Sequence, residues 1–153
     1  MLELASYVFY FGACGCGPFF EYSDYKRFIE ETGEYRNTPS PILPSLKWFA
    51  QALFCLGISE VGKMLVPIEF CWSDGFADFS FPYRVWYYYW AMHAKKFFYY
   101  TPFSFTTGAV VASGLGYNGN EKGTEKWDKI IGVYVWELET SGSPVDMWRY
   151  WNH

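Results

Sequence analysis

The chain has 153 residues and a formal net charge of −4; aromatic residues make up 24% of it and charged residues only 18%. The low charge, together with an apolar content of 51%, excludes an intrinsically disordered chain. The negative balance argues against a nucleic-acid-binding protein, which would carry a basic stripe. The length fits one domain or a piece of a larger one.

The charges are unevenly distributed along the chain, and this distribution is more informative than the mean hydropathy of −0.08. That average scores Tyr and Trp as polar, although both gather at membrane interfaces. Uncharged runs cover residues 4–20, 48–59 and 97–120. They predict an all-α, polytopic membrane protein with amphipathic helices and loops, and with membrane segments at about 4–20, 46–68 and 83–116.

Two segments separate the first two membrane segments. Residues 21–36 hold five acidic and three basic side chains, which predicts a solvated helix or loop. Residues 37–44 form a proline-rich linker that cannot be helical throughout.

The middle apolar segment continues past its first charges. Glu60 and Lys63 stand three residues apart, so they can pair on one helix face. This pattern fits two alternatives. One is a membrane helix whose ion pair faces inward, and the other is a soluble amphipathic helix whose ion pair lies on the surface. Pro44 upstream and Pro67 downstream are expected to bound the helix.

The third segment is rich in aromatic side chains over residues 83–100, which favours a belt at the membrane interface. His93 lies in this stretch close to Lys95 and Lys96, where the two lysines can meet anionic headgroups. No nucleophilic side chain is placed to pair with His93. The Thr, Ser and Gly residues of 97–120 suit a helix that packs against other helices.

The four cysteines do not have the spacing of a metal site. Cys14 and Cys16 flank a glycine, Cys55 and Cys71 stand alone, and no histidine is near. We expect buried thiols in a reducing or membrane setting and no bound metal.

Four segments, in order and across essentially the whole chain, resemble the membrane-bound O-acyltransferase family, and most of all its lysophospholipid acyltransferases of the lysophosphatidylcholine type. They are FGACGCGPFFEYSDYKRFIE, PSPILPSLKWFAQALFCLG, VVASGLGYNGNEKGTEKWD and MWRYWNH. The sequence departs from the family pattern at Thr107, where members often have an acidic residue, and at Gly132, where many have Asn.

The resemblance implies an enzyme of the endoplasmic reticulum membrane that transfers a fatty acyl chain from acyl-CoA to a lysophospholipid hydroxyl. Its implied partners are acyl-CoA as co-substrate, the lysophospholipid and membrane lipids, without a bound cofactor and without nucleic acid. Asn152 matches the family's Trp-Asn and is the implied catalytic residue, as a donor to the developing oxyanion or as a group that orients a histidine.

The Trp-Asp pair of the third segment is Trp127 and Asp128. Its functional interpretation is a substrate-binding contact to the CoA or headgroup region. Its structural alternative is a tryptophan anchor at the interface and an aspartate that caps the next helix.

The family enzymes are several times longer than this chain, and their histidine lies in a Trp-His-Gly segment beyond the Trp-Asn. The resemblance therefore implies that residues 1–153 are a central part of the acyltransferase domain and are inactive alone. Neither His93 nor His153 matches that motif. The alternatives are a family member that acylates a protein or a neutral lipid, a non-catalytic truncated membrane protein, and a soluble aromatic-rich module.

Overall fold

The computed structural model describes residues 2–12 and 15–151. The fold is mostly helical, as predicted, but residues 120–125 correct the all-α expectation because they form a small antiparallel hairpin. The elements are α1 (Leu2–Val8), α2 (Tyr22–Ile29), α3 (Ile42–Leu65), α4 (Phe81–Ser113), β1 (Asn120–Glu121), β2 (Thr124–Glu125), α5 (Val135–Thr140) and α6 (Pro144–Tyr150). Short 3-10 turns cover Gly33–Asn37, Ile68–Trp72 and Asp74–Phe76.

Helices α3 and α4 form an antiparallel pair whose seam is made of small side chains. A Cβ atom at Gly62 would lie 2.3 Å from the Cβ of Ala94, so the two backbones meet closely there. Near the other end of the seam, the Gln51 amide donates to the Ser104 hydroxyl over 3.0 Å. Small residues at a helix–helix contact are typical of membrane proteins, where close packing rather than the hydrophobic effect drives association.

Among the described helices, α3 is the one long and apolar enough to cross a membrane, with a mean hydropathy of 1.3. Only 22% of its apolar window is buried, whereas the core helix of a soluble protein is mostly buried. The outer surface of the pair is apolar as well, with Leu53, Phe54, Trp86 and Tyr89 about half exposed or more. An exposed apolar surface of this extent fits contact with lipid or with further protein.

The predicted membrane segments correspond to the helices to different degrees. α3 begins at Ile42 and ends at Leu65, and α4 covers Phe81–Ser113, close to the predicted 46–68 and 83–116. Among the described residues of the predicted segment 4–20, the helix continues only to Val8. A multi-pass topology stays a prediction.

The ion pair of α3 lies on the outside of the described structure. Lys63 Nζ is 2.5 Å from Glu60 Oε1, and both side chains are about half exposed, so the pair does not face inward. Pro44 lies inside the first turn of α3 rather than before it, a position where the missing N–H costs nothing.

A cluster of aromatic and aliphatic side chains packs the chain's first third against the end of α4. Its buried members are Tyr10, Phe20, Tyr25, Tyr35, Val110, Leu115, Tyr117 and Ile130. The Tyr35 hydroxyl donates to the Leu115 carbonyl over 2.9 Å, which fixes the chain just after α4. The predicted solvated segment 21–36 is thus α2 and a 3-10 turn, with two tyrosines in the core.

A second cluster holds α5 on the middle of the helix pair, through Cys55, Phe97, Tyr100, Val133, Val135 and Leu138. Cys55 is buried, as expected for the thiols, but Cys16 is exposed because it lies in an irregular segment outside any helix. Cys14 lies outside the described residues.

Candidate functional site

The Trp-Asp pair directly follows the second strand of the hairpin. Gly114, with φ +99°, ends α4 in the left-handed conformation that favours glycine. The hairpin then turns at Lys122 and Gly123, whose φ values of +52° and +85° match the two-residue turn that suits the twist of paired strands. Trp127 and Asp128 thereby come back beside the residues that lead into the first strand.

Both members of the pair are held by these neighbours across the hairpin. The rings of Trp127 and Tyr117 lie 5.1 Å apart, and the Asn118 amide donates to Asp128 Oδ1 over 2.9 Å. The helix-cap interpretation of Asp128 is wrong, because α5 begins only at Val135 and its cap position is Tyr134. The carboxylate instead fixes the base of the hairpin.

The pair lines a groove of about 950 Å³ between the start of α3 and the segment 123–137. The buried indole N–H of Trp127 has no hydrogen-bond acceptor within the described residues. The groove also carries aromatic, cationic and acidic side chains, including Lys47, Trp48, Glu125, Lys126, Trp136 and Glu137. The groove therefore presents stacking surfaces and two lysines, together with the carboxylates of Glu125, Asp128 and Glu137.

Lys129 anchors the loop after the pair to the first third of the chain. Its side chain is 12% exposed and forms ion pairs with Asp24, at 3.3 Å, and with Glu34. Burial alone would raise the pKa of the Glu34 carboxyl. The hydrogen bond from Lys129, with the charges of Lys129 and Arg27, outweighs burial and lowers that pKa from its ordinary value.

Asn152 lies outside the described residues, and its catalytic role stays a prediction. Its chain neighbour Trp151 pairs with Val133 in an isolated antiparallel bridge, and the Trp151 ring lies 5.6 Å from that of Phe103. The chain that leads to Asn152 is therefore fixed against α4.

A polar cluster that sequence reasoning missed joins α4 to α5. Glu139 accepts hydrogen bonds from the Tyr100 hydroxyl over 2.6 Å and from Lys96 Nζ over 2.9 Å. His93 Nε2 lies 3.8 Å from the same carboxylate. We call Glu139, Lys96, Tyr100 and His93 the Glu139 cluster. Lys96 and Tyr100 share a helix face, but only the fold brings Glu139 to them, from 43 and 39 residues along the chain.

The cluster is built to keep Glu139 ionised. Burial would raise the pKa of its carboxyl, but the hydrogen bonds from Lys96 and Tyr100 hold that pKa below its ordinary value. Tyr100 is fully buried, so this acceptor is what satisfies its hydroxyl. A smaller groove of about 380 Å³ is lined by Lys96, Tyr100, Met147, Trp148 and Trp151.

His93 is partly buried among the rings of Tyr89, Trp90 and Phe97, beside the Glu139 carboxylate. This contact could not be predicted from the lysines that follow it in the sequence. Its interfacial role stays a prediction. Among the described residues, no group of three His, Cys, Asp or Glu side chains is arranged to hold a metal ion.

Comparison with curated proteins finds relatives over nearly the whole chain. It is 26% identical over 172 residues to the lysophospholipid acyltransferase of Saccharomyces cerevisiae, and covers 28% of that protein. It is 28% identical over 166 residues to lysophospholipid acyltransferase 2 of Arabidopsis thaliana, and covers 36% of it. It is 30% identical over 173 residues to membrane-bound glycerophospholipid O-acyltransferase 2 of Gallus gallus, and covers 33% of it. Each alignment includes 99% of the chain.

The chain thus spans about a third of the length of these relatives. The profile of the membrane-bound O-acyltransferase family matches residues 1–153. The chain belongs to the membrane-bound O-acyltransferase family.

Proposed function

We propose that this chain is part of an enzyme of the endoplasmic reticulum membrane that transfers a fatty acyl group from acyl-CoA to the hydroxyl of a lysophospholipid. The observation that carries the proposal is the family match over all 153 residues, with relatives named lysophospholipid acyltransferases over 99% of the chain. The apolar span α3 and the exposed apolar surface of the helix pair support a place in the membrane.

The reaction sets two chemical demands. The acceptor hydroxyl is a poor nucleophile at neutral pH and needs a general base, and the thioester carbonyl gathers negative charge as the hydroxyl attacks. The carbonyl carbon forms its new bond to the acceptor oxygen, and its bond to the CoA sulfur breaks. The hydroxyl proton passes to the base, which returns it to that sulfur, so that CoA leaves as the thiol. Asn152 is the proposed neutral donor to that charge, because an amide is cheaper to bury in a membrane protein than a carboxylate.

We assign the groove beside Trp127 to the CoA part of the donor. Indole rings at Trp48 and Trp127 offer stacking surfaces for a purine, and Lys47 and Lys126 offer cations for phosphates. Asp128 holds the hairpin in place through Asn118 and thus positions Trp127.

The test is acyl transfer in microsomes from cells that express the native reading frame containing residues 1–153. Radiolabelled acyl-CoA is supplied with one acceptor at a time: lysophospholipids of several headgroups, diacylglycerol or a peptide. Transfer to a lysophospholipid is expected. Transfer only to diacylglycerol or to the peptide would overturn the acceptor class.

The groove is tested in the same membranes by Trp127→Ala. Loss of one stacking ring is expected to raise the KM for acyl-CoA roughly tenfold, because such stacking contributes about 1–3 kcal/mol per base. The matched control is Trp72→Ala, an exposed tryptophan outside the groove, for which KM stays unchanged. An unchanged KM in Trp127→Ala would remove the groove from the donor site.

A further inference from the structure

Thr107 makes a buried polar link between α4 and the segment that leads into α5. Its side chain is fully buried. The hydroxyl donates to the carbonyl of Phe103 over 2.8 Å and accepts from the N–H of Gly132 over 3.1 Å. One side chain thus satisfies a backbone donor 25 residues away.

The backbone next to Gly132 holds the end of the described chain. Val133 pairs with Trp151 in the antiparallel bridge, and the N–H of Tyr134 donates to the Tyr150 carbonyl over 3.0 Å. The Trp151 ring also packs edge-on against Phe103. A continuous path therefore leads from the Thr107 hydroxyl through Gly132 and Val133 to Trp151.

We propose that Thr107 is a positioning residue for acyl transfer: its hydroxyl fixes Gly132 and so sets where the Val133–Trp151 bridge places the segment that carries Asn152. The inference rests on the proposed function, since it needs Asn152 to take part in the reaction. Thr107 touches neither substrate and acts only through the backbone.

The burial of this link makes the hydroxyl hard to replace. Water does not reach Thr107, so loss of its oxygen leaves the Gly132 N–H without an acceptor. Thr107→Val keeps the shape and removes the oxygen, whereas Thr107→Ser keeps the oxygen and removes a methyl group. Small displacements at a reacting group are enough to slow turnover strongly.

Thr106 provides the matched control on the same helix. Its single O–H has three carbonyls within reach as alternative acceptors, those of Pro102, Phe103 and, at 3.5 Å, Cys16. None of them belongs to segment 130–151, so Thr106→Val removes a hydroxyl on the same helix without breaking a hydrogen bond to that segment.

The first arm of the experiment is amide hydrogen exchange on residues 1–153 in detergent micelles. Thr107→Val is expected to speed exchange on the order of tenfold at Gly132 and Tyr134 and in the peptide that includes Trp151. Thr107→Ser and Thr106→Val are expected to exchange like the wild type there. Unchanged exchange in Thr107→Val would overturn the proposal.

The second arm is acyl transfer in microsomes. Thr107→Val is expected to lower kcat on the order of tenfold to a hundredfold with little change in either KM, and Thr107→Ser to restore most of it. A wild-type kcat in Thr107→Val, or an equal loss in Thr106→Val, would overturn the proposal. If Thr107→Val does not accumulate, Thr107→Ser and Thr107→Ala decide the question, because they differ in the hydroxyl alone. If the wild-type protein transfers no acyl group, the proposed function is refuted. The hydrogen-exchange arm tests the Thr107–Gly132 hydrogen bond independently of activity, so the two failures can be distinguished.

Discussion

The helix pair α3–α4 and the loop-rich region 114–151 are held together by different means. In the helix pair the contacts are close approaches of small residues, such as Gly62 against Ala94, under an apolar outer surface. In the loop-rich region, buried apolar side chains such as Val133 and Leu138 are joined by hydrogen bonds and ion pairs to distant elements, such as those of Lys129 and Glu139. The helix pair α3–α4 is suited to packing in an apolar environment. The polar links hold Trp127, Asp128 and the chain segment that leads to Asn152 against these two helices.

The largest expected effect comes from the Glu139 cluster. Glu139→Ala removes the acceptor of Tyr100 and Lys96 and leaves the buried tyrosine hydroxyl unsatisfied, so the free energy of unfolding should fall by about 2–3 kcal/mol. The measurement is thermal or denaturant unfolding of the chain in detergent micelles. Glu137→Ala, an exposed neighbour on α5, should stay within about 0.5 kcal/mol. Equal effects of both variants would show that the cluster does not hold α5 to α4.

The second-largest loss of stability is expected at the close contact between α3 and α4. Gly62→Ala forces its Cβ to within 2.3 Å of Ala94, so unfolding should become easier by roughly 1–3 kcal/mol. Gly57→Ala, on the same helix with open space around it, should instead stabilise α3 by up to about 1 kcal/mol. Unfolding in micelles compares the two. If Gly62→Ala left the free energy of unfolding unchanged while Gly57→Ala lowered it, α3 would contact α4 through a different face from the one that carries Gly62.

Acid should weaken the loop-rich region through Glu34. Since its pKa is lower in the folded chain than its ordinary value of 4.5, the unfolded chain binds more protons as the pH falls. The stabilisation is complete above about pH 5 and is lost as the pH drops through the folded-state pKa; we expect it to be about 1 kcal/mol. Unfolding of wild type and Glu34→Gln at pH 7 and pH 4 measures it. The difference in free energy of unfolding between wild type and Glu34→Gln should be smaller at pH 4 than at pH 7. A larger difference at pH 4 would contradict the ion pair between Glu34 and Lys129.

The smallest effect is expected at the outer ion pair of α3. Glu60→Gln breaks a half-exposed pair, so stability in micelles should change by less than about 0.5 kcal/mol. A loss above about 2 kcal/mol would show that the pair is desolvated.

Much of this comparison could be predicted from local sequence. The apolar run from Leu46 and the aromatic run from Tyr83 predicted α3 and α4, because uncharged runs and flanking prolines are local signals. The hairpin was missed, although Asn120 and Gly123 are turn residues, because its strands are only two residues long.

The arrangement of the site needed the fold. The family motifs singled out Trp127 and Asp128, but Asp128's partner Asn118 follows from the hairpin register, which the motif does not state. The Glu139 cluster and the Thr107–Gly132 bond join residues 25 or more positions apart in sequence, and no local pattern encodes such pairs. The Glu60–Lys63 spacing predicted the pairing but left open whether the pair faces inward or outward, because spacing does not set the face that a pair occupies; in the structure the pair is half exposed on the outside.

The most direct test is the effect of Asn152→Ala on acyl transfer from acyl-CoA to a lysophospholipid, in microsomes with the native reading frame and normalised to protein amount. Loss of one donor to the developing oxyanion should lower kcat by about 10²–10³-fold. His93→Ala, which removes a partly buried imidazole 3.8 Å from Glu139, should change it only a few-fold. Full activity in Asn152→Ala beside an inactive, normally accumulated His93→Ala would contradict the assignment and place the chemistry at the Glu139 cluster.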